Sequence, residues 1–257
     1  MLIGPAMRNA AGHVLVGALC ALSWSCSEEP FDEGSSGQEI RGGRARDDHP
    51  EVAQMFQNIK NHDQWFACTA TLIDRKIAIT AGHCVEYRNQ DRKGNYGYLE
   101  VRTRNSTGGI QTHRYQIDGY HNFDGAPHNV SGDPDDVGLI RLKSAVPCSV
   151  AHPARLSRNG PSNGTVVSRW GYGVCNGEVA RKRVRHFRRG GETHMLCHGD
   201  SGGPTLDPDG RVYQINSGGS PDGLSADEAP QDGVARVGKE WNGIQRMLDL
   251  WGRAGGC

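Results

Sequence analysis

No stretch of this chain stays apolar for long enough to stand as a confident membrane span, and no excess of either charge surrounds it: Lys+Arg and Asp+Glu number 29 each across 257 residues. With that balance the sequence lacks the field that would draw in nucleic acid or an anionic bilayer, and neither is expected as a partner. The eight cysteines include no CxxC pair, so the spacing of a zinc ribbon is missing. "GDPDD", Gly132 to Asp136, lacks the spaced oxygen ligands of a calcium loop and reads as a turn. No metal and no cofactor is expected. Internal repeats are absent, and helical periodicity is absent until Lys239.

What the chain has instead is glycine, 36 residues, beside an apolar content of only 36%, a mixture that favours turns and short strands. "TATLIDRKIAIT" (Thr69 to Thr80), "DVGLIRL" (Asp136 to Leu142) and "GTVVSRWGYG" (Gly164 to Gly173) are short, β-branched and bounded by turn formers, so they read as strands. "RKRVRHFRR", Arg181 to Arg189, sets charge against Val184, His186 and Phe187 and reads as a half-exposed strand with a basic face, in preference to a nucleic-acid site. In "KEWNGIQRMLDLW", Lys239 to Trp251, the residues Trp241, Ile244, Met247, Leu248 and Trp251 form one stripe, which predicts a C-terminal helix packed on a β body.

At the N-terminus Arg8 precedes the small, apolar run "AAGHVLVGALCALSW", which predicts a signal peptide over residues 1–26. Cys26 follows a small residue in "LSWSCSEEP", as a lipidated cysteine would; lipidation there and ordinary cleavage stand as the two readings. Residues 27–39, "SEEPFDEGSSGQE", are acidic and offer almost nothing to bury, so they read as a tether or propeptide before a folded body at 40–257. The expectation is an exported monomer in an oxidising place: extracellular, periplasmic or on the outer surface, touching membrane only through a lipid on Cys26.

"LCHGDSGGPTL", Leu196 to Leu206, places one hydroxyl, Ser201, between an aspartate and two glycines. A serine hydroxyl attacks only if a base takes its proton and a third group orients that base. His83, in "ITAGHC", closely follows a strand, and its neighbour Cys84 could tie that corner to Cys68. Asp136 opens an apolar strand, where a carboxylate can be half buried and aimed at an imidazole. In the order His83, Asp136, Ser201 these stretches resemble the trypsin-like (chymotrypsin-fold) serine proteases: "TAGHC" is similar to TAAHC, "DVGLIRL" to DIALLRL, and "GDSGGP" matches the nucleophile motif outright. Subtilisin-type and α/β-hydrolase enzymes arrange the three residues in other orders. "IRGG" at Ile40, "RWGYG" (Arg169 to Gly173) and "DGVARV" (Asp232 to Val237) extend the resemblance over the folded body, and "GYGVC" with "LCHGDSGGP" resembles bacterial secreted members.

The resemblance implies an all-β fold of two six-stranded antiparallel β-barrels packed together, at about 40–150 and 151–238, with a C-terminal α-helix at about 239–251. It implies a serine endopeptidase that acts on proteins or peptides through an acyl-enzyme: Ser201 as nucleophile, His83 as base and then acid, Asp136 as its orienter, and the Gly199 and Ser201 N–H groups as the oxyanion hole. Asp200 would pair with the new α-ammonium of Ile40 once the chain is cut there. Glu39 before that bond points to an activating protease with a preference other than trypsin's.

Met195 would stand at the base of the primary pocket and favours an apolar P1 side chain; Asp232, aligned with the pocket wall, would restore a basic preference instead. Ser217 to Gly219 would pair with the substrate backbone, with Gly218 where a tryptophan usually stands. The resemblance further implies Cys175 with Cys197 and Cys148 with Cys257 as disulfides beside Cys68 with Cys84. One reading from another class stands beside the enzyme: a catalytically silent binding protein at the cell surface on the same scaffold.

Overall fold

The computed structural model describes residues 40, 43–58, 65–86, 97–123, 135–174, 181–191, 196–218 and 233–257. Six strands near the N-terminal side close on themselves: β2 (Val52–Asn58), β3 (Trp65–Asp74), β4 (Ile77–Thr80), β5 (Gly97–Arg104), β6 (Ile110–Asn122) and β7 (Gly138–Leu142), in the order β2-β3-β4-β7-β6-β5 with β5 returning to β2. Met55, Leu72, Ile79, Leu99 and Ile140 are among the side chains this barrel buries completely. All four residues of β4 are buried, which explains why Ile77, Ala78 and Ile79 follow one another without a polar residue between them: a strand covered on both faces has no need of alternation.

The second layer is a six-stranded antiparallel sheet: β1 (Arg44–Ala45), β8 (Val166–Gly171), β9 (Arg183–Arg188), β10 (Pro204–Leu206), β11 (Val212–Gly218) and β12 (Gly233–Arg236), ordered β1-β9-β8-β10-β11-β12. The pairings among the described residues leave this sheet open. Its edge strand β1 comes from ahead of the barrel and pairs Arg44 with Val184. The N-terminal end of the folded body thus sits on the second layer, because β9 offers an edge whose N–H and C=O groups need partners.

The basic strand is confirmed as β9, and each face buries one residue: Val184 joins the main core, while Phe187 joins Ile40, Val167 and Tyr213 in a separate cluster. The predicted helix is α2 (Trp241–Trp251), with Ile244, Met247 and Leu248 buried. It ends at Gly252, whose φ of +71° is one that glycine adopts freely. Beyond it the tail is fastened to the barrel. Buried Asp74 accepts hydrogen bonds from the Ala254 and Gly255 N–H groups, both at 3.1 Å, and Cys257 is bonded to Cys148. Among the described residues no helix is long and apolar enough to cross a membrane.

Candidate active site

β4 ends at Thr80, and after two intervening residues the chain turns into α1 (His83–Glu86), tied back by the Cys68–Cys84 disulfide. The turn lies against the start of β7, an approach close enough that a Cβ on Gly138 would come within 2.7 Å of Val85 Cγ2 and 2.9 Å of the Ala81 carbonyl oxygen. Only glycine permits it. Asp136, just before β7, therefore reaches His83 twice: its Oδ1 accepts the His83 backbone N–H at 2.7 Å, and its Oδ2 lies 2.7 Å from His83 Nδ1.

Ser217 Oγ, from β11 of the other layer, donates to the same Oδ2 at 2.6 Å. Asp136 is 1% exposed. Burial alone would raise its carboxyl, yet the hydrogen bond and charge of His83, with the bonds from Ser217 and the His83 N–H, outweigh it and hold the group below the ordinary carboxylate range. An ionised carboxylate facing Nδ1 fixes the tautomer in which Nδ1 carries the proton, leaving Nε2 as a base.

The nucleophile loop belongs to the second layer but is held from the first. Thr69 of β3 gives its N–H to the Ser201 carbonyl and its Oγ1 hydroxyl to the Gly199 carbonyl, each at 2.8 Å, while accepting the Tyr172 N–H at 2.9 Å. Gly199 and Gly202 have φ of +97° and +86°, and a Cβ on Gly202 would fall 2.1 Å from both the Thr69 carbonyl oxygen and Thr80 Oγ1. Those two glycines in "GDSGGP" are thus demanded by backbone conformation and by contact.

The His198 carbonyl accepts from Val174 N at 2.7 Å, which turns the Gly199 N–H of the same planar peptide the opposite way. The Ser201 carbonyl oxygen lies 3.8 Å from Cys84 Sγ, so the serine sits beside the histidine turn. No hydrogen bond joins Ser201 Oγ to His83 Nε2 among the described residues; such bonds are often long until substrate is bound.

Asp200 is fully buried, with Oδ1 accepting from Gly173 N at 2.6 Å and Oδ2 from Cys197 N at 2.9 Å. Ile40 is buried in its cluster with Val167, Phe187 and Tyr213, with φ of +31°, a left-handed value that is strained for a β-branched residue. Cys197 is disulfide-bonded. Cys26, Cys175, Met195, Gly219 and Asp232 lie outside the described residues. Cys68, His83 and Cys84 cluster, but both sulfurs are consumed by their disulfide, so the group lacks the thiolates that a metal would need.

Sequence reasoning assigned Ser217 to the substrate backbone and missed its bond to Asp136; nothing in "NSGG" signals a partner 81 residues away. It also missed Thr69, which looks like any β-strand threonine. Among curated proteins none matches the chain. The family model for trypsin matches residues 40–235, three quarters of the sequence and a region that holds His83, Asp136 and Ser201. The chain belongs to the trypsin family, and with it to the serine proteases, hydrolases whose substrates are proteins and peptides.

Proposed function

We propose that this chain is an exported serine endopeptidase in which Ser201, His83 and Asp136 form the working triad. The carrying observation is the buried Asp136 carboxylate, which grips both the backbone and the ring of His83. His83 Nε2 takes the Ser201 proton as the hydroxyl adds to the substrate carbonyl, Asp136 stabilises the imidazolium, and the proton then passes to the leaving amine. The Gly199 and Ser201 N–H groups receive the oxyanion, each worth about 2.7–4 kcal/mol in comparable sites. Water, activated by His83, then releases the acyl group.

Met195, six positions before Ser201 in the sequence, supports an apolar P1 preference, and the acidic segment ahead of Ile40 supports activation by cleavage after Glu39. The leader-like N-terminus and the disulfides Cys68–Cys84 and Cys148–Cys257 support export. Labelling of the processed protein with a fluorophosphonate tests the central reading. Wild type should label and Ser201→Ala should not; a wild type that stays unlabelled, or a variant that labels equally, would establish the catalytically silent binding protein instead. Cleavage of a peptide library by wild type and Met195→Asp then reads the P1 side chain, and N-terminal sequencing of the active form reads the cut.

A further inference from the structure

Asn122 ends β6 directly opposite Gly138, two residues from Asp136, and the pairing continues as Phe123 N–H donates to the Val137 carbonyl at 3.2 Å. Its side chain is buried. A Cβ placed on Gly82 would stand 2.7 Å from Asn122 Oδ1 and 2.9 Å from Asp136 Oδ1, so both oxygens converge on the bare face of the residue before His83. From the other side, a Cβ on Gly138 would lie 3.2 Å from Gly82 Cα. The end of β6, the start of β7 and the histidine turn therefore meet at distances that only glycine at 82 and 138 allows.

We propose that Asn122 is a positioning residue for the Asp136–His83 pair. Its amide fills the volume that a side chain at position 82 would take, and so sets the Gly82–His83 peptide whose N–H is held by Asp136 Oδ1. The inference rests on the reading of Asp136 and His83 as the working pair. An amide suits this place because it brings a dipole without a charge; a second carboxylate would repel Asp136 and favour the imidazolium. Among the described residues, the charged and titratable groups near this corner include Asp136 and its partner His83, Asp135, which is ion-paired with Lys239, Glu240, which with Phe123 lies against Gly243, and His121 on the opposite face of β6, set edge-on to Phe123 and Trp251.

The test uses the full processed chain as wild type, Gly82→Ala, Asn122→Ala, the Gly82→Ala/Asn122→Ala double variant and Asn122→Asp. Peptide kinetics are measured alongside the NMR titration of the His83 ring, assigned with His83→Ala. Gly82→Ala should lower kcat by about 100-fold with KM little changed, the effect of displacing a catalytic group by about 1 Å. Removing the Asn122 side chain as well should restore about tenfold of that loss, since the added methyl then has room. Asn122→Asp should raise the His83 midpoint by about one pH unit.

The titration needs no turnover, so it reads the pair even if wild type cleaves nothing, a result that would count against the protease reading alone. If Asn122→Ala does not fold, Asn122→Ser takes its place in the double variant. The proposal is overturned if the double variant gains nothing over Gly82→Ala in kcat or in the return of the His83 midpoint to its wild-type value. It is equally overturned if Asn122→Asp leaves that midpoint unmoved.

Discussion

The two layers divide the chemistry and are built differently. The barrel of β2 to β7 is closed, and it delivers the base and its orienter, His83 and Asp136, already joined by two hydrogen bonds. The second sheet is open among the described residues and delivers the nucleophile from a glycine-bounded loop. The barrel side buries carboxylates, Asp74, Glu100 and Asp136, whereas the second layer buries cations as well: Arg169 is 0% exposed with its guanidinium 4.9 Å from the Phe187 ring centroid, Lys182 is 4% exposed, and Asp200 is 0% exposed. A closed barrel satisfies its own backbone. A sheet that takes in a strand from elsewhere and a loop with special φ angles depends on specific polar contacts to fix both.

If that contrast is right, the barrel half of the site should fail through chemistry, and the second sheet through placement and stability. The largest effect is expected from Asp136→Asn, which preserves shape but can present an amide N–H to Nδ1 and so favour the wrong tautomer. We expect kcat to fall about 10⁴-fold with little change in melting temperature. The next is structural. Replacing Cys148 and Cys257 by serine opens a link spanning 109 residues that ties the tail after α2 to the barrel side, and should cost about 2–4 kcal/mol in denaturant unfolding while leaving peptide cleavage by the folded fraction intact.

Ser217→Ala is smaller. It removes the hydrogen bond that, among the described residues, joins the second sheet directly to the Asp136 carboxylate, and losing a bond to a charged group of that kind should lower kcat about tenfold. An unchanged kcat would show that the Ser217 bond does not steady the Asp136 carboxylate.

The smallest expected effect is a slope. Burial pushes the Lys182 ammonium down to about 8, against the opposing pull of Glu51, Asp48 and Asp47, while its Nζ donates to the His49 carbonyl at 2.7 Å. An unfolded lysine titrates at about 10.4, so between those values the unfolded chain holds the extra proton and the folded state gains stability as pH rises. Unfolding measured from pH 8 to 10 should show that gain in wild type and a flatter dependence in Lys182→Met. Equal slopes would remove the lysine from the account of the second sheet.

How much of this could be read beforehand differs between the layers as well. Local signals located β4, β7, β8, β9 and α2, because each is a short run whose burial shows directly in its side chains. The Cys68–Cys84 bridge followed from a cysteine beside the histidine. Illegible were the contacts that join elements distant in the chain: β1 crossing to β9, Thr69 gripping the nucleophile loop, Ser217 on Asp136, and Asn122 behind Gly82. Threonine, serine and asparagine stand in almost any strand or turn, and only the neighbour that folding brings to them gives them a task.

The sequence by itself determined the chemical types: a hydroxyl in a glycine-bounded loop, a histidine at a strand end, an aspartate opening an apolar strand, and cysteines suited to pairing. Those follow from local rules, since backbone conformation and burial are written residue by residue. Only the tertiary structure decided that one carboxylate is shared by His83 and Ser217, and that glycines at 82 and 138 let three elements meet behind it. Hydrogen bonds and close contacts act over about 3 Å in space, while the residues that make them lie up to 181 positions apart along the chain.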